Sequence, residues 1–525
     1  MHKKNLEDLF NQYLKLIASA LNDIHKCSLS DYAWKGMLGY WLRSVLNNSL
    51  IFYENHKLFL KDYDKNQDIL ITGYDTTDAM EIINSSSHIP KLLFLLSLCK
   101  KKETEKFFLN QKKISIHTRR KETLTKNFYR KFFNSMFSKK RLDLVVFSDF
   151  QMRPFDLIKL AFKLNKFSLI FNELDFLLQP KLSINFDKRL ELQKKVKSED
   201  EFSYFLSWII SLTIPVIYFE DFDRQKNNVL KKIEKKLTNC KILVSSTGWY
   251  YNESFKLFTF IFKPEKAVLI GHQHGGNYGV VENFFLEEFE REIVDFYISW
   301  GWQGKNVLAL PSPKLSSHLK NLRNREVNEK SILYISTTYP TIPVDDRYQI
   351  GCLDKYLENM RRFIGSLSEK SISAIRLRPY QKTSQIIHEI WSEFDPNIQI
   401  ENWNTSLLRS LNSSKLCICD NLQTTFLESL ATNTPTILYL DKNMKSAKYR
   451  DDVSDYFNLL EEVNIFYQDA VQAAKFINRL LATENGIDDW WCSKEVQNAR
   501  AKYCYTFART SDRFIIEWAK TIDQF

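Results

Sequence analysis

Short apolar runs alternate with stretches of helical spacing along most of this chain. That alternation predicts βαβ units built around parallel sheets. In the first half the runs are Asp68–Thr72 (DILIT), Leu142–Ser148 (LDLVVFS), Ser168–Phe171 (SLIF), Pro215–Phe219 (PVIYF), Lys241–Ser245 (KILVS) and Ala267–Gly271 (AVLIG). In the second half they are Ser331–Ser336 (SILYIS), Ser373–Leu377 (SAIRL), Leu416–Cys419 (LCIC) and Thr436–Leu440 (TILYL). Two Pro and two Ser interrupt the pattern over Leu308–Ser316 and predict a boundary there. The expected organisation is α/β with two Rossmann-like lobes facing across a cleft. Residues 1–312 form the first lobe and 313–485 the second, with an α-helical segment, 486–525, returning to the first. Ligands in such sheets bind at the carboxyl ends of strands, so the segments just after the runs carry the candidate chemistry.

Phe202–Phe219 has no charge over 18 residues, close to the shortest membrane span. Its three Ser, one Thr and Pro215 favour a buried helix followed across the proline by a buried strand. The N-terminus mixes acidic residues with helical apolar spacing and does not read as a signal peptide. Composition is that of a folded protein, with 44% hydrophobic and 26% charged residues among 525. The eight Cys form no CxxC pair and no zinc-type cluster, which fits a reducing compartment and a cytoplasmic location. Cys417 and Cys419 alternate along a strand-like run and read as small buried hydrophobes.

The net charge of +11 is concentrated. Lys100–Arg141 holds 15 Lys or Arg against 3 Glu, with Phe128, Phe132, Met136 and Phe137 at helical spacing in its second half. Three readings stay open for this segment. It is a solvated basic face whose aromatic stripe docks on the protein's own core, a surface for the inner face of the cytoplasmic membrane or a lipid-linked acceptor, or a nucleic-acid contact. No recognition motif accompanies the last, and nucleic acid is not an expected partner.

Four segments carry candidate chemistry. GHQHGGNYG (Gly271–Gly279) follows a strand and holds four of the chain's 13 Gly. Glycine permits close backbone approach and positive φ. His272 and His274 lie two apart, with Gln273 between them and Tyr278 further on. A neutral imidazole there would serve as general base and a protonated one would hold an anion; a tight structural turn with packed histidines is the alternative. Zinc lacks a third ligand nearby. In CDNLQTTFLESLATNTP (Cys419–Pro435), Asp420 or Asn421 ends a strand. Gln423, Thr424 and Thr425 open a helix whose free N–H groups suit an anion, with Glu428 one turn inside. An ordinary capped helix is the alternative. Arg376 and Arg378 of RLRPY alternate onto one face, able to grip a diphosphate or carboxylate or to pair at the surface. Thr337 and Thr338 of STTY, and Ser245–Trp249 (SSTGW), are weaker phosphate-loop signals.

The loop GHQHGGNYG, the acidic residues after it and Asp295–Trp302 (DFYISWGW) resemble a family of transferases encoded in bacterial O-antigen and related surface-sugar loci. Tyr32–Arg43 (YAWKGMLGYWLR), Val496–Thr510 (VQNARAKYCYTFART) and Trp518 support the match, which spans nearly the whole chain. The family resembles in turn the two-lobed GT-B transferases, among them the capsule Kdo transferases and the CDP-glycerol glycerophosphotransferases. The resemblance implies that His274, Gly275 and Gly276 line the reaction centre. It further implies that Arg376, Arg378, Thr424, Thr425 and Glu428 hold a nucleotide-sugar donor, Glu428 at the ribose. Where many relatives carry a His-Pro pair, this chain has Arg378-Pro379-Tyr380, which leaves the nucleotide open.

The resulting expectation is a glycosyltransferase of O-antigen, lipopolysaccharide or related surface glycans. It would move a sugar, best guessed as a nonulosonic acid from a CMP donor, onto a lipid-linked or growing carbohydrate acceptor. Polyol-phosphate transfer from a CDP-glycerol-type donor and a non-catalytic carbohydrate-binding or assembly role are the alternatives. No DxD-type metal motif stands out among the candidate segments, so no cofactor is expected and divalent metal is not expected to be essential.

Overall fold

The computed structural model describes residues 3–61, 144–171, 184–197, 200–233, 240–262, 267–319, 328–337, 352–380, 384–402, 404–444 and 448–525. The run Asp68–Thr72, the basic segment 100–141 and Thr338 lie outside the described residues.

Two six-stranded sheets, each wholly parallel, organise the chain. The first contains β1 (Leu144–Ser148), β2 (Phe167–Phe171), β3 (Cys240–Ser245), β4 (Val268–His272), β5 (Phe296–Ser299) and β6 (Val307–Ala309) in the order β2-β1-β3-β4-β5-β6. The second contains β7 (Asn328–Ile335), β8 (Ile375–Arg378), β9 (Gln399–Ile400), β10 (Ser414–Cys419), β11 (Thr436–Tyr439) and β12 (Phe466–Tyr467) in the order β12-β11-β10-β7-β8-β9. Strand order reverses beside β1 in the first sheet and between β7 and β10 in the second. Those switch points open crevices at the strand ends, where α/β sheets bind ligands.

The strands read as continuous apolar runs because both faces are covered. In the first sheet Val145, Phe147, Ile242, Val244, Ile270 and Ile298 pack with Leu157 and Leu160 of the helix Pro154–Lys163 and with Phe514, Trp518 and Ile522 of the helix Phe514–Ile522. Leu144, Val146, Leu243 and Leu269 face the other way, toward the helices Lys3–His25, Asp31–Lys61, Glu201–Thr213 and Glu253–Phe262. None of the described helices is long and apolar enough to cross a membrane.

The expected strand at Pro215–Phe219 is instead a buried 3-10 turn, Val216–Tyr218. A short apolar run does not distinguish a buried strand from a buried turn. Here the Arg189 guanidinium donates to the carbonyls of Ser211, Leu212 and Ile214, and it pairs with Glu220 at 2.6 Å. Those bonds close the end of the preceding helix. The apolar residues then turn into the core rather than joining a sheet.

The chain crosses between the lobes twice. The helix Lys494–Phe507 packs on the second lobe, against the helices Thr424–Ala431 and Ser454–Glu462. The following helix, Phe514–Ile522, packs on the first. The two crossings hydrogen-bond one another: Ser312 N–H donates to Arg509 O at 2.8 Å and Ser511 N–H to Ser316 Oγ at 3.1 Å. Trp518 is fully buried and donates Nε1–H to Pro311 O at 2.9 Å. Trp518→Ala is expected to destabilise the first lobe by about 3–5 kcal/mol, read as a lower midpoint in chemical denaturation. An unchanged midpoint would show that the returning helix contributes little.

Candidate functional site

Three loops converge at the carboxyl end of the first sheet. After β1, Asp149 adopts φ 45 and its Oδ2 accepts from Ser148 Oγ at 2.9 Å and from Asn252 Nδ2 at 2.7 Å. A left-handed conformation outside glycine stores strain at such a position. After β3, Ser246 Oγ accepts from Gln151 N–H at 3.1 Å. After β4 comes the glycine-rich loop.

That loop separates its two histidines into different roles. His272 is fully buried between Phe150 and Trp518, with ring centroids at 5.1 and 4.9 Å. Trp300 Nε1, a donor only, lies 3.3 Å from Nε2, so Nδ1 carries the proton toward Ser246 Oγ at 2.8 Å. Burial holds its pKa well below the usual histidine value, with His274 adding to the effect. Gln273 is equally buried. Its Oε1 accepts from Trp300 N–H and Trp302 Nε1–H, both at 2.9 Å, and its amide donates to Gly275 O at 2.8 Å. His272 and Gln273 therefore shape the loop from inside and do not offer polar atoms to a donor.

His274 faces two tyrosines. The Tyr250 hydroxyl lies 2.8 Å from Nε2 and the Tyr278 hydroxyl 3.1 Å from Nδ1. Burial pushes its pKa down to about 4, with a smaller contribution from Lys314 in the same direction. A neutral imidazole at physiological pH can accept a proton. The Tyr278 ring packs against Phe284 and Tyr297, so this residue orients His274 from the core.

Gly275 and Gly276 carry the loop onto the second lobe. Gly276 N–H donates to Thr424 Oγ1 at 3.0 Å and Asn277 N–H to Leu422 O at 3.2 Å. A Cβ at Gly276 would stand 2.4 Å from the Gln423 carbonyl carbon, and one at Gly275 would stand 2.8 Å from Thr424 Oγ1. The contact continues through the Val281–Tyr449 bridge and through Arg450 N–H to Val280 O at 2.9 Å.

The second lobe builds its side of the cleft at the crevice between β7 and β10. Buried Asp420 spans it: Oδ1 accepts from Thr337 N–H at 3.2 Å, and Oδ2 from Tyr334 at 3.0 Å and Tyr356 at 2.6 Å. Burial raises the Asp420 pKa against the lowering effect of those donors. Asn421 turns inward, its amide donating to Asp420 and its oxygen accepting from Gln423 N–H. The Gln423 amide donates to Thr337 Oγ1 at 2.6 Å, so the helix Thr424–Ala431 starts with no side-chain cap. Thr425 is partly exposed there. Uncapped N–H groups and the positive end of the helix dipole favour an anion.

Arg376 and Arg378 do share a face, but their guanidiniums turn to Glu401, at 3.5 and 2.5 Å. Ser413, Ser414, Ser410 and the Thr405 carbonyl take further bonds. This corrects the expectation of an open diphosphate fork. Alternation along a strand fixes which way an arginine points, and Glu401 already occupies that side.

Residues that the sequence reading passed over fill the gap. Lys314 and His318, one turn apart on the helix Pro313–Leu319, approach buried Glu428 at 2.9 and 3.7 Å. Arg153 donates to Ser317 O at 2.9 Å and its charge, with that of Lys314, acts on His318. Burial is the largest cause of the lowered His318 pKa, opposed by Glu428. Glu428 thus has a cationic partner where a free ribose acceptor was expected. A Lys-x-x-x-His spacing after Pro313 was the available signal, hidden in a stretch read as a boundary. Gly276→Ala is expected to force the lobes apart, read as a larger radius of gyration by small-angle scattering and a lower melting temperature. Unchanged values for both would mean that the loop does not tie the lobes.

Comparison with solved structures gives the wall teichoic acid polymerase TagF (13% identity, 82% of this chain and 97% of that chain, TM-score 0.34). It also gives MurG of Acinetobacter baumannii (9% identity, 73% and 99%, TM-score 0.35) and Anabaena HepE in complex with UDP-glucose (10% identity, 73% and 100%, TM-score 0.37). No curated protein matches the sequence. The pattern of the LIC12162 family transferase matches residues 2–522. A match over nearly the full length, on two doubly wound lobes, places this chain in the LIC12162 family of transferases.

Proposed function

We propose that this chain is a nucleotide-sugar-dependent glycosyltransferase of surface-glycan assembly, working in the cleft between its two sheets. The observation that carries the reading is the seating of the His274 loop on the uncapped helix start at Thr424, with Lys314 beside both. Donor phosphate would rest on the N–H groups of Thr424 and Thr425 and on Lys314. Thr337 and Gln423, tied across the crevice, would support the nucleotide. Glu428, now paired with Lys314, would turn to the ribose as Lys314 moves to phosphate. His274 would take the proton of the acceptor hydroxyl while the leaving phosphate is stabilised by the helix start.

A CMP-linked nonulosonic acid is the donor that suits this cleft best by resemblance. Its leaving group, CMP, carries a single phosphate, and its carboxylate calls for a cation such as Arg153 or Lys314. The acceptor would be a lipid-linked or growing glycan presented at the inner face of the membrane. The reading uses no divalent metal. Activity after exhaustive chelation is expected to stay within about twofold of the untreated rate, and loss rescued by magnesium or manganese would overturn that part.

The direct test is calorimetric titration of the purified chain with CMP, CDP, UDP and GDP. CMP is expected to bind best, and Lys314→Ala to weaken it by about tenfold, the size of one charge-assisted bond. Preference for CDP would redirect the reading to polyol-phosphate transfer, and for UDP or GDP to hexose donors. Binding of none by the folded chain would overturn the donor site and favour a carbohydrate-binding or assembly role.

A further inference from the structure

Behind His274, on the side away from Tyr250, stands a carboxylate that the proposed chemistry has not used. Glu290 lies on the helix Phe285–Ile293 and is fully buried. Its Oε2 accepts from the Tyr297 hydroxyl at 3.0 Å. Its Oε1 has no hydrogen-bond partner among the described residues and stands 3.9 Å from His274 Nδ1. A buried carboxylate oxygen left unmatched is costly, and a structural role toward Tyr297 would be met by an uncharged glutamine. The geometry is that of a histidine whose Nδ1 meets the Tyr278 hydroxyl at 3.1 Å with the Glu290 carboxylate just beyond, and whose Nε2 meets a displaceable hydroxyl, that of Tyr250.

We infer that Glu290 is the positioning residue for His274, holding Nδ1–H together with the Tyr278 hydroxyl so that Nε2 faces the acceptor once a sugar hydroxyl displaces that of Tyr250. This rests on the transferase reading above. In the step, the acceptor O–H bond breaks and its proton passes to His274 Nε2. The freed oxygen pair forms the bond to the donor's anomeric carbon. The bond from that carbon to the phosphate oxygen breaks, and its electron pair leaves on phosphate. The new imidazolium then faces the Glu290 carboxylate, and charge appears only as a matched pair.

Burial drives each partner alone toward neutrality, raising Glu290 and lowering His274. The hydroxyls of Tyr297 and Tyr278 lower Glu290, Glu287 raises it, and Lys314 acts on His274. Tyr250, with Tyr40 and Tyr251 around it, completes the titratable surroundings. The working form has Glu290 ionised, so turnover rises as pH increases through the ionisation of the pair.

The test has two readouts. Without substrate, the His274 ring in isotopically labelled full-length protein is followed by NMR against pH, its signals assigned by loss in His274→Ala. The wild-type ring should report the ionisation of Glu290, and Glu290→Gln should abolish that response. An identical response in both overturns the proposal, whatever the chain's reaction. With CMP-, CDP- and UDP-linked sugars as donors, Glu290→Gln should lower kcat at least tenfold with KM within twofold, and lose the rise with pH. Glu290→Asp should restore part of both. A Glu290→Gln enzyme with wild-type kcat and pH profile also overturns the proposal, whereas absence of turnover with any donor in the wild type strikes at the transferase reading alone. Should Glu290→Gln fail to fold, Tyr297→Phe removes only the donor to Oε2. It should move the response of the His274 ring to higher pH, and an unmoved response counts against the pair.

Discussion

The two lobes meet backbone to backbone, where Gly276 rests against the Leu422–Gln423–Thr424 chain with no room for a methyl group between them. Everything proposed for the cleft follows from that approach. It brings the end of β4 in one sheet to the start of a helix in the other, and so sets His274 opposite an uncapped dipole. The glycines serve that close approach of backbone to backbone. They let one lobe approach the other closely enough that a substrate would be gripped from both sides. Fixing the approach from inside falls to Gln273, whose amide ties together Gly275, Trp300 and Trp302.

Two histidines separated by one residue show how burial divides labour. His272 has each ring nitrogen committed, one to a tryptophan that can only donate and one to a serine. Its tautomer is fixed and its proton is not for exchange. His274 has at both ring nitrogens tyrosine hydroxyls, which donate or accept with equal ease. The first is part of the scaffold; the second can exchange a tyrosine hydroxyl for another hydroxyl without leaving a ring nitrogen unpaired.

Much of the fold could be read from the chain, because strands covered on both faces must be apolar at their centres, as Ile242–Val244 and Leu416–Cys419 are. The two-residue edge strands β9 and β12 carry no such signature. Pro215 misled, since an apolar run beside a proline is compatible with a strand until one knows that Arg189 closes the preceding helix. The glycine loop was legible as a place of close approach, though not what it approaches. The arginine pair was legible as a shared face, but Glu401 lies beyond any local pattern. Lys314 and His318 hid in a segment that looked like punctuation. Glu290 hid among the acidic residues of a helix, although its place on the apolar side with Phe289 and Ile293 set it apart.

The returning helix Phe514–Ile522 has a consequence for synthesis. One face of the first sheet, with Phe147, Val244 and Ile298, is finished only by residues near the end of the chain. About 200 residues separate β6 from that helix. At a ribosomal pace of roughly 5–20 residues per second, the uncovered face persists for on the order of 10–40 s while the whole second lobe is made. The order of translation thus leaves that face to be covered only after the second lobe has been made.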